Sequence, residues 1–435
     1  PNMPQFWRGT RDGYFALYRA TAEAVRSAGH RIRLGGPAIA WFPEAEGPAW
    51  MEAFLRLLAD EPDLPCDFLS YHRKGVWTEA EGEPRLERLV EAAEATAALA
   101  RRLVPERCAR GLAVVNNEAD MRVGFQRPYV PRLSERFPAW LAASTVAHVM
   151  LTARHAASGL RFLAMSDNAN QHLVRAPFDG RRALMTPTAA ARPDDLIKLP
   201  VFGFYEMLAL LDDGPCAAGM PAEHVFELVT AGAGRIGALL TFHPPPGAAA
   251  GPVDLAWTLG DIPWLRVNLA VFRIDGRLSN AFAADGARMP APPMDAARAA
   301  RLRQAAELAL AAPARHGIAV PDRRLRLPLR LAPYATLLVS VTPFDPAPPA
   351  TPRAVEVAAV DGGVLLRWAP DRTPALAGYE VLRGDPPSRI APAPLRAATW
   401  TDTAPPRGVA LRYGVRAISA SGVRSPPAWT APLRL

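Results

Sequence analysis

The sequence predicts a mixed α/β first part, the C-terminal half of a (β/α)8 TIM barrel, followed by two all-β units. Three observations carry this. Short apolar strands alternate with helix-spaced apolar residues through the first half of the chain, and beyond about Cys216 short strands dominate. Proline, 46 of 435 residues, clusters at Pro244-Pro245-Pro246 and within 290–293 and 343–352, where connectors between compact units belong. Units are therefore expected at 1–215, 216–345 and 346–435.

Taken in order, Tyr14, Leu17, Tyr18, Thr21 and Val25 recur at helical spacing, with a strand predicted over 32–34 and an exit loop at Gly35-Gly36-Pro37. Trp50, Phe54, Leu55 and Leu58 mark a second helix, 68–71 a strand, and His72-Arg73-Lys74-Gly75 its loop. A helix over 86–103 leads into a strand at 112–115 and then Glu118; a helix over 139–157 leads into a strand at 161–165 and the loop Ser166-Asp167-Asn168. A helix over 202–211 closes the series. Four parallel strands leave two open edges where a barrel needs eight strands, so the other four are expected ahead of Pro1. The second unit reads as a β-sandwich, with strands at 226–230, 237–242, 264–274, 325–331 and 336–341 and one embedded helix over 296–311. In the third unit, strands at 364–368, 379–382 and 411–418, Trp368 and the late Tyr413 resemble a fibronectin type III-like module, a spacer or binding unit rather than a catalytic one.

Composition excludes several classes. With 50% hydrophobic and 21% charged residues the chain is globular. The formal charge of +8 comes from arginines spread along the chain, with no basic run interleaved with aromatics, so no nucleic-acid partner is expected. Cys66, Cys108 and Cys216 are far apart and lack Cys/His ligand spacing, which argues against a disulfide framework and a zinc site. No stretch approaches the roughly 18 apolar residues of a membrane span. Because residue 1 is Pro, any signal peptide lies upstream, and the compartment is left open.

The chemistry-bearing segment is Val114-Val115-Asn116-Asn117-Glu118-Ala119-Asp120, where a β-branched run ends in acids and amides. A buried strand delivering a carboxylate at its tip is how barrel enzymes present catalytic groups. Retaining glycoside hydrolysis needs two carboxylates roughly 5 to 5.5 Å apart, and Glu118 suits the nucleophile, with Asp120 holding it or binding substrate. The same residues also suit a polar helix-capping loop.

Ser70-Tyr71-His72-Arg73-Lys74-Gly75, Asn117-Glu118-Ala119-Asp120 with Val123-Gly124, and Ser166-Asp167-Asn168-Ala169 together resemble the α-L-iduronidase branch of glycoside hydrolase family 39. The opening Pro1-Asn2 with Phe6-Trp7 is similar to the segment following that family's acid/base Glu, and Leu34-Gly35-Gly36-Pro37 follows at the family's interval. The resemblance implies a retaining mechanism with Glu118 at the end of the seventh barrel strand and the acid/base Glu immediately before Pro1. A chain limited to these residues is then expected to be nearly inactive on natural glycosides, since leaving-group protonation contributes about 10²- to 10⁴-fold. The resemblance also assigns His72 and Lys74 to the loop after strand six, Gly124 to the loop after the nucleophile, and Asp167 and Arg181 to the sugar's hydroxyls and carboxylate.

Lys74 and Arg181 favour a terminal uronic acid, because a cation gains a charge-assisted hydrogen bond from a carboxylate that neutral xylose cannot return. The alternative is that Arg73, Lys74, Arg181 and Arg182 are solvated surface charges. Asn117 is placed to orient the nucleophile or a hydroxyl, and His72 suits a rim position as well as a ligand contact. Trp77 is the expected stacking platform, ahead of Trp41 and Trp50. Two departures bear on the sugar: Phe125 stands where the iduronidase branch has Trp, and the opening is closer to the β-xylosidase branch. The expected partner is an oligosaccharide or glycoside, with neither cofactor nor metal. The alternatives are a non-catalytic carbohydrate-binding protein with a relic half barrel, and a charge-driven polyanion binder.

Overall fold

The computed structural model describes residues 1–435 except 30, 31, 41, 78–81, 125–127, 167–170, 361, 362, 372, 374, 392, 393 and 435, and the side chain at 194. The chain is a mixed α/β protein with several sheets. It opens with α1 (Arg11–Ser27), β1 (Gly35–Ile39), α2 (Gly47–Asp60), β2 (Phe68–Tyr71), α3 (Glu87–Leu103), the short α4 (Pro105–Ala109), β3 (Ala113–Asn116), α5 (Arg136–Arg154) and β4 (Arg161–Ala164). The four strands pair in parallel in the order β1-β2-β3-β4. One face is covered by the helices through a core that includes Phe15, Tyr18, Phe54, Leu69, Val114 and Phe162. At the far edge Leu163 and Met165 are 49% and 58% exposed.

The first strand departs from expectation. It occupies Gly35–Ile39 rather than 32–34, so the Gly-Gly-Pro read as an exit loop is the strand itself. The reason is steric: a Cβ at Gly35 would stand 2.3 Å from the Phe68 carbonyl oxygen, so only glycine allows β1 to pair there with β2. The antiparallel hairpin β5 (Met185–Ala189) and β6 (Arg192–Lys198), absent from the sequence reading, precedes α6 (Pro200–Leu208).

Next come β7 (Cys216–Ala222), β8 (Val225–Ala231), β9 (Ile236–Phe242), β10 (Val253–Leu259), β11 (Arg266–Ile274), α7 (Ala281–Ala284), α8 (Ala296–Ala306), β12 (Ala309–Leu310), β13 (Arg315–Ala319), β14 (Leu325–Leu331) and β15 (Thr336–Pro343). A seven-stranded sheet runs β12-β11-β15-β9-β8-β7, with β13 also on β11. Strand alternation gives it two apolar faces. Leu239, Phe272, Ile274 and Leu338 share a core with Trp140 of α5, Phe204 of α6 and Leu302 of α8. Leu240, Leu269, Leu337 and Val339 pack against Trp257, Leu327 and Leu331 of the β10–β14 ribbon. Packing is therefore continuous from the parallel sheet's helices into the antiparallel sheet.

The last part is β16 (Glu356–Val360), β17 (Gly363–Arg367), β18 (Leu376–Arg383), β19 (Ser388–Arg389), β20 (Thr399–Asp402), β21 (Ala410–Leu411), β22 (Tyr413–Ser419), β23 (Ala428–Trp429) and β24 (Leu433–Arg434). Sheets β16-β17-β20 and β19-β18-β22-β23 enclose Leu366, Trp368, Tyr379, Val381, Tyr413 and Val415. The buried Tyr413 hydroxyl donates to Asp402 Oδ2 at 2.9 Å. No described helix is long and apolar enough to cross a membrane.

Candidate active site at the strand tips

Parallel pairing places the exits of β1 to β4 on one edge, and a lattice of loop hydrogen bonds fixes what those exits present. Asn116, the fully buried last residue of β3, accepts from the Arg73 N–H (3.0 Å) and donates to the Arg73 carbonyl (2.9 Å). This two-point clasp extends the β2–β3 pairing beyond the ladder and seats Lys74 opposite Glu118. Further on, the N–H groups of Gly75 and Val76 donate to the carbonyls of Asp120 (2.9 Å) and Met121 (3.0 Å). Gly75 is required for this approach, because a Cβ there would lie 2.8 Å from the Met121 carbonyl oxygen and 2.6 Å from the Trp140 ring. On the other side Ala119 N–H donates to Met165 O (2.7 Å), and Trp140 Nε1 donates to Ala119 O (2.8 Å). Glu118 thus rides on backbone held from β2, β4 and α5.

The side chains form a charge cluster. Lys74 Nζ donates to Glu118 Oε2 and, at 2.9 Å, to Asp120 Oδ2. Arg182 Nη1 donates to Asp120 Oδ2, Ser166 Oγ donates to Asp120 Oδ1, and His72 Nδ1 lies 3.5 Å from Glu118 Oε1. Side-chain exposure separates the roles: Lys74 3%, Asp120 1% and Arg182 2%, against 29% for Glu118. Burial by itself would raise the Glu118 carboxyl, but Lys74, His72 and Arg182 outweigh it and hold the group below its ordinary value. Burial lowers the Arg182 guanidinium to about 10, with Glu118 pulling it back up, so it remains a cation at neutral pH. Chemically, this is one ionised, outward-reaching carboxylate backed by buried cations, suited to attack an electrophilic carbon.

The structure brings His72, Lys74, Glu118 and Asp120 together. Asn117 donates its backbone N–H to Tyr71 O (3.1 Å), while its buried Oδ1 has no donor among the described residues. Gly124 sits in the loop after Glu118 at φ +88° and accepts from Arg132 Nη1 (3.1 Å). Arg181 lies apart from the cluster's contacts: its Nη1 donates to Leu173 O and its Nε is 3.5 Å from Asp179 Oδ2. Asp167, with Trp41 and Phe125, lies outside the described residues. Trp77 is buried, with the Arg73 guanidinium 5.2 Å above its ring.

Asn116, Arg182 and Ser166 were not among the predicted site residues. An amide closing an otherwise β-branched buried strand is the signal that could have singled out Asn116. Nothing in the sequence separates Arg182 from the adjacent Arg181. Among the described residues no three or more His, Cys, Asp or Glu side chains gather to hold a metal ion.

The sequence profile of the glycosyl hydrolases family 39 matches residues 1–238. Mouse (Mus musculus) α-L-iduronidase is 25% identical over 260 residues, covering 55% of this chain and 38% of that enzyme. The β-xylosidase of Geobacillus stearothermophilus is 38% identical over 73 residues, or 17% of this chain and 14% of that enzyme. The chain thus spans less than two-fifths of the length of these curated relatives. Among solved structures, a bacterial orthologue of human α-L-iduronidase superposes with a TM-score of 0.77 at 23% identity, covering 98% of this chain and 75% of that one. A monomeric β-xylosidase from Caulobacter crescentus gives 0.54 at 20% identity, covering 79% and 68%. These two likenesses establish a shared fold.

Proposed function

Since the chain belongs to glycosyl hydrolases family 39, we propose that it is the nucleophile-bearing part of a retaining glycosidase acting on a terminal uronic acid or xylose. Glu118 attacks the anomeric carbon, the aglycone oxygen leaves with the bonding pair and takes a proton from a carboxylic acid, and water then hydrolyses the glycosyl ester. The observation that carries the reading is Glu118 itself, the one outward-reaching carboxylate of a buried cluster, kept ionised by Lys74, His72 and Arg182. Asp120 is the holding group: it accepts from Lys74, Arg182 and Ser166 and so orients the cations that face Glu118.

On this reading β1 to β4 are strands five to eight of a (β/α)8 barrel, and the acid/base Glu directly precedes Pro1. Asn2 supports that arrangement. Its amide donates to Ala40 O (2.6 Å) and accepts from Ala40 N–H (2.9 Å), which ties the segment beside Pro1 to the exit of β1, on the edge that bears Glu118. A uronate is the preferred sugar, because a cation returns a charge-assisted hydrogen bond to its carboxylate, and His72, 23% exposed beside Glu118, is the ring donor placed to meet it.

The test separates the nucleophile from the acid/base. 2-Deoxy-2-fluoro glycosyl fluorides of a uronic acid and of xylose carry leaving groups that need no protonation and trap the glycosyl-enzyme. Mass spectrometry of a peptide digest should find the adduct on Glu118, faster with the uronide. Labelling of another carboxylate, or of none with either reagent, overturns the assignment; saturable sugar binding without labelling would favour the non-catalytic alternative.

A further inference from the structure

Between the seven-stranded sheet and the C-terminal sandwich lies a cavity of about 490 Å³ that shares no lining residue with the Glu118 cluster. Its walls are mostly apolar: Leu269 and Phe272 of β11, Leu308, Leu376 of β18, Leu395 and Ile418 of β22. Arg396 also lines it. The guanidinium stacks on Phe272, 4.5 Å from the ring centroid, and forms no hydrogen bond or ion pair with any described residue. The nearby acids Glu307 and Glu206 share Lys198, each at 3.0 Å, and neither forms an ion pair with Arg396. Burial, reinforced by Arg235, lowers Arg396 to about 10, with Glu206 opposing, so the group still carries its charge at neutral pH.

A cation at a mostly apolar interface with no carboxylate within ion-pair distance gains from a ligand that brings one. The size matches sites that bury a small organic ligand, roughly 300–1,000 Å³, and the chemistry matches such sites too: mostly apolar walls with a few polar groups, here Arg396, Arg235, Glu307, His316 and Asn268, at a junction between units.

We propose that this interface cavity is a second ligand site, separate from the strand-tip cluster, that takes a small monoanionic apolar molecule of the aryl carboxylate class, with the carboxylate on Arg396 and the ring among Leu269, Leu308, Leu376, Leu395 and Ile418. Residues of both sheets form the walls, so occupancy favours their docked arrangement, which the direct Asn268 Nδ2 to Ser421 Oγ hydrogen bond (3.1 Å) already supports.

The experiment is calorimetric titration of the purified chain with 1-naphthoate and with its neutral counterpart 1-naphthalenemethanol. Naphthoate should bind at one site and the alcohol roughly 10- to 100-fold more weakly, the effect of a lost charge-assisted contact. Arg396→Gln should abolish that preference, and Ala377→Trp, which fills the recess, should prevent binding of both. Absence of saturable naphthoate binding, equal affinity for the neutral compound, or binding indifferent to Arg396→Gln overturns the proposal. The ligand comparison on the unaltered chain decides the matter even if a variant misfolds.

Discussion

Two carboxylates, Glu118 and Glu380, are each surrounded by cations, and they are built in opposite senses. Glu380 on β18 has 2% side-chain exposure, and its partners are the exposed ones: Arg416 at 30%, Arg424 at 52% and Arg389 at 51%. Arg416 Nε reaches Glu380 Oε2 at 2.6 Å from the directly paired position on β22, and Arg424 Nη2 reaches Oε1 at 3.2 Å. At the strand tips the order is reversed: Lys74 and Arg182 are buried and Glu118 reaches outward at 29%. Burial raises both carboxyl groups and neighbouring cations more than reverse it, so both lie below their ordinary value. A depressed carboxyl alone therefore does not mark a site. What distinguishes the two is which partner solvent can reach: an exposed cation over a buried acid ties a sheet together, whereas a half-exposed acid over buried cations suits the nucleophile proposed above.

The comparison is broken most sharply by removing each acid in turn. Glu118→Gln should lower turnover of an activated aryl glycoside by on the order of 10⁴-fold, as loss of a covalent nucleophile does. Its unfolding midpoint in denaturant should change little, because Lys74 keeps Asp120. Comparable turnover in the variant and the parent would place the chemistry elsewhere.

Next in size is Lys74→Met, which leaves Asp120 and Glu118 facing each other with one buried cation fewer. Breaking a buried pair costs about 3–5 kcal/mol, and chemical denaturation reads it directly. The pH response carries a sign. Lys74 depresses the Glu118 carboxyl, so the proposed nucleophile stays ionised below the ordinary carboxylate range; without Lys74 the acid limb of the pH–rate profile should move to higher pH. An unmoved limb would mean that Lys74 only braces the loop.

Glu380→Gln should leave turnover and its pH profile untouched while destabilising the chain by about 1–3 kcal/mol, since exposed arginines recover water when their partner is lost. Because Glu380 is depressed in the folded state, its stabilisation is complete above the unfolded value and is lost as pH falls through the lower folded value. Acid unfolding of the parent should therefore flatten in the variant. A fall in turnover instead would dissolve the distinction between the two clusters.

How much of this the sequence disclosed follows from how local each signal is. The run Val114-Val115-Asn116 with Glu118 two residues beyond announces a strand tip on its own, and β2 falls at 68–71 as its apolar run predicts. By contrast β1 was displaced, because glycine reads locally as a break, and only the Phe68 carbonyl across the pair reveals why glycine is in the strand. Lys74 and Glu118 could be associated through a family resemblance, but the clasp that brings them together is a contact between residues 43 apart, Asn116 and Arg73. Hairpin β5–β6 and the choice between two adjacent arginines depend on packing that no periodicity encodes.

That choice supplies the smallest predicted effect and the finest test. Adjacent residues in the loop before β5 diverge: Arg182 enters the cluster and binds Asp120, while Arg181, at 26% side-chain exposure, binds the Leu173 carbonyl and flanks Asp179. A single partly exposed ion pair contributes about 0–1 kcal/mol. Arg181→Gln should therefore shift the unfolding free energy by less than about 1 kcal/mol, and its KM for a uronide should stay within about 3-fold of the parent, whereas Arg182→Gln belongs with Lys74→Met. If Arg181→Gln instead raised KM selectively for the uronide over the xyloside, the sugar's carboxylate would be read by the residue outside the buried cluster. The reagent acid and the specificity cation would then sit on separately held loops.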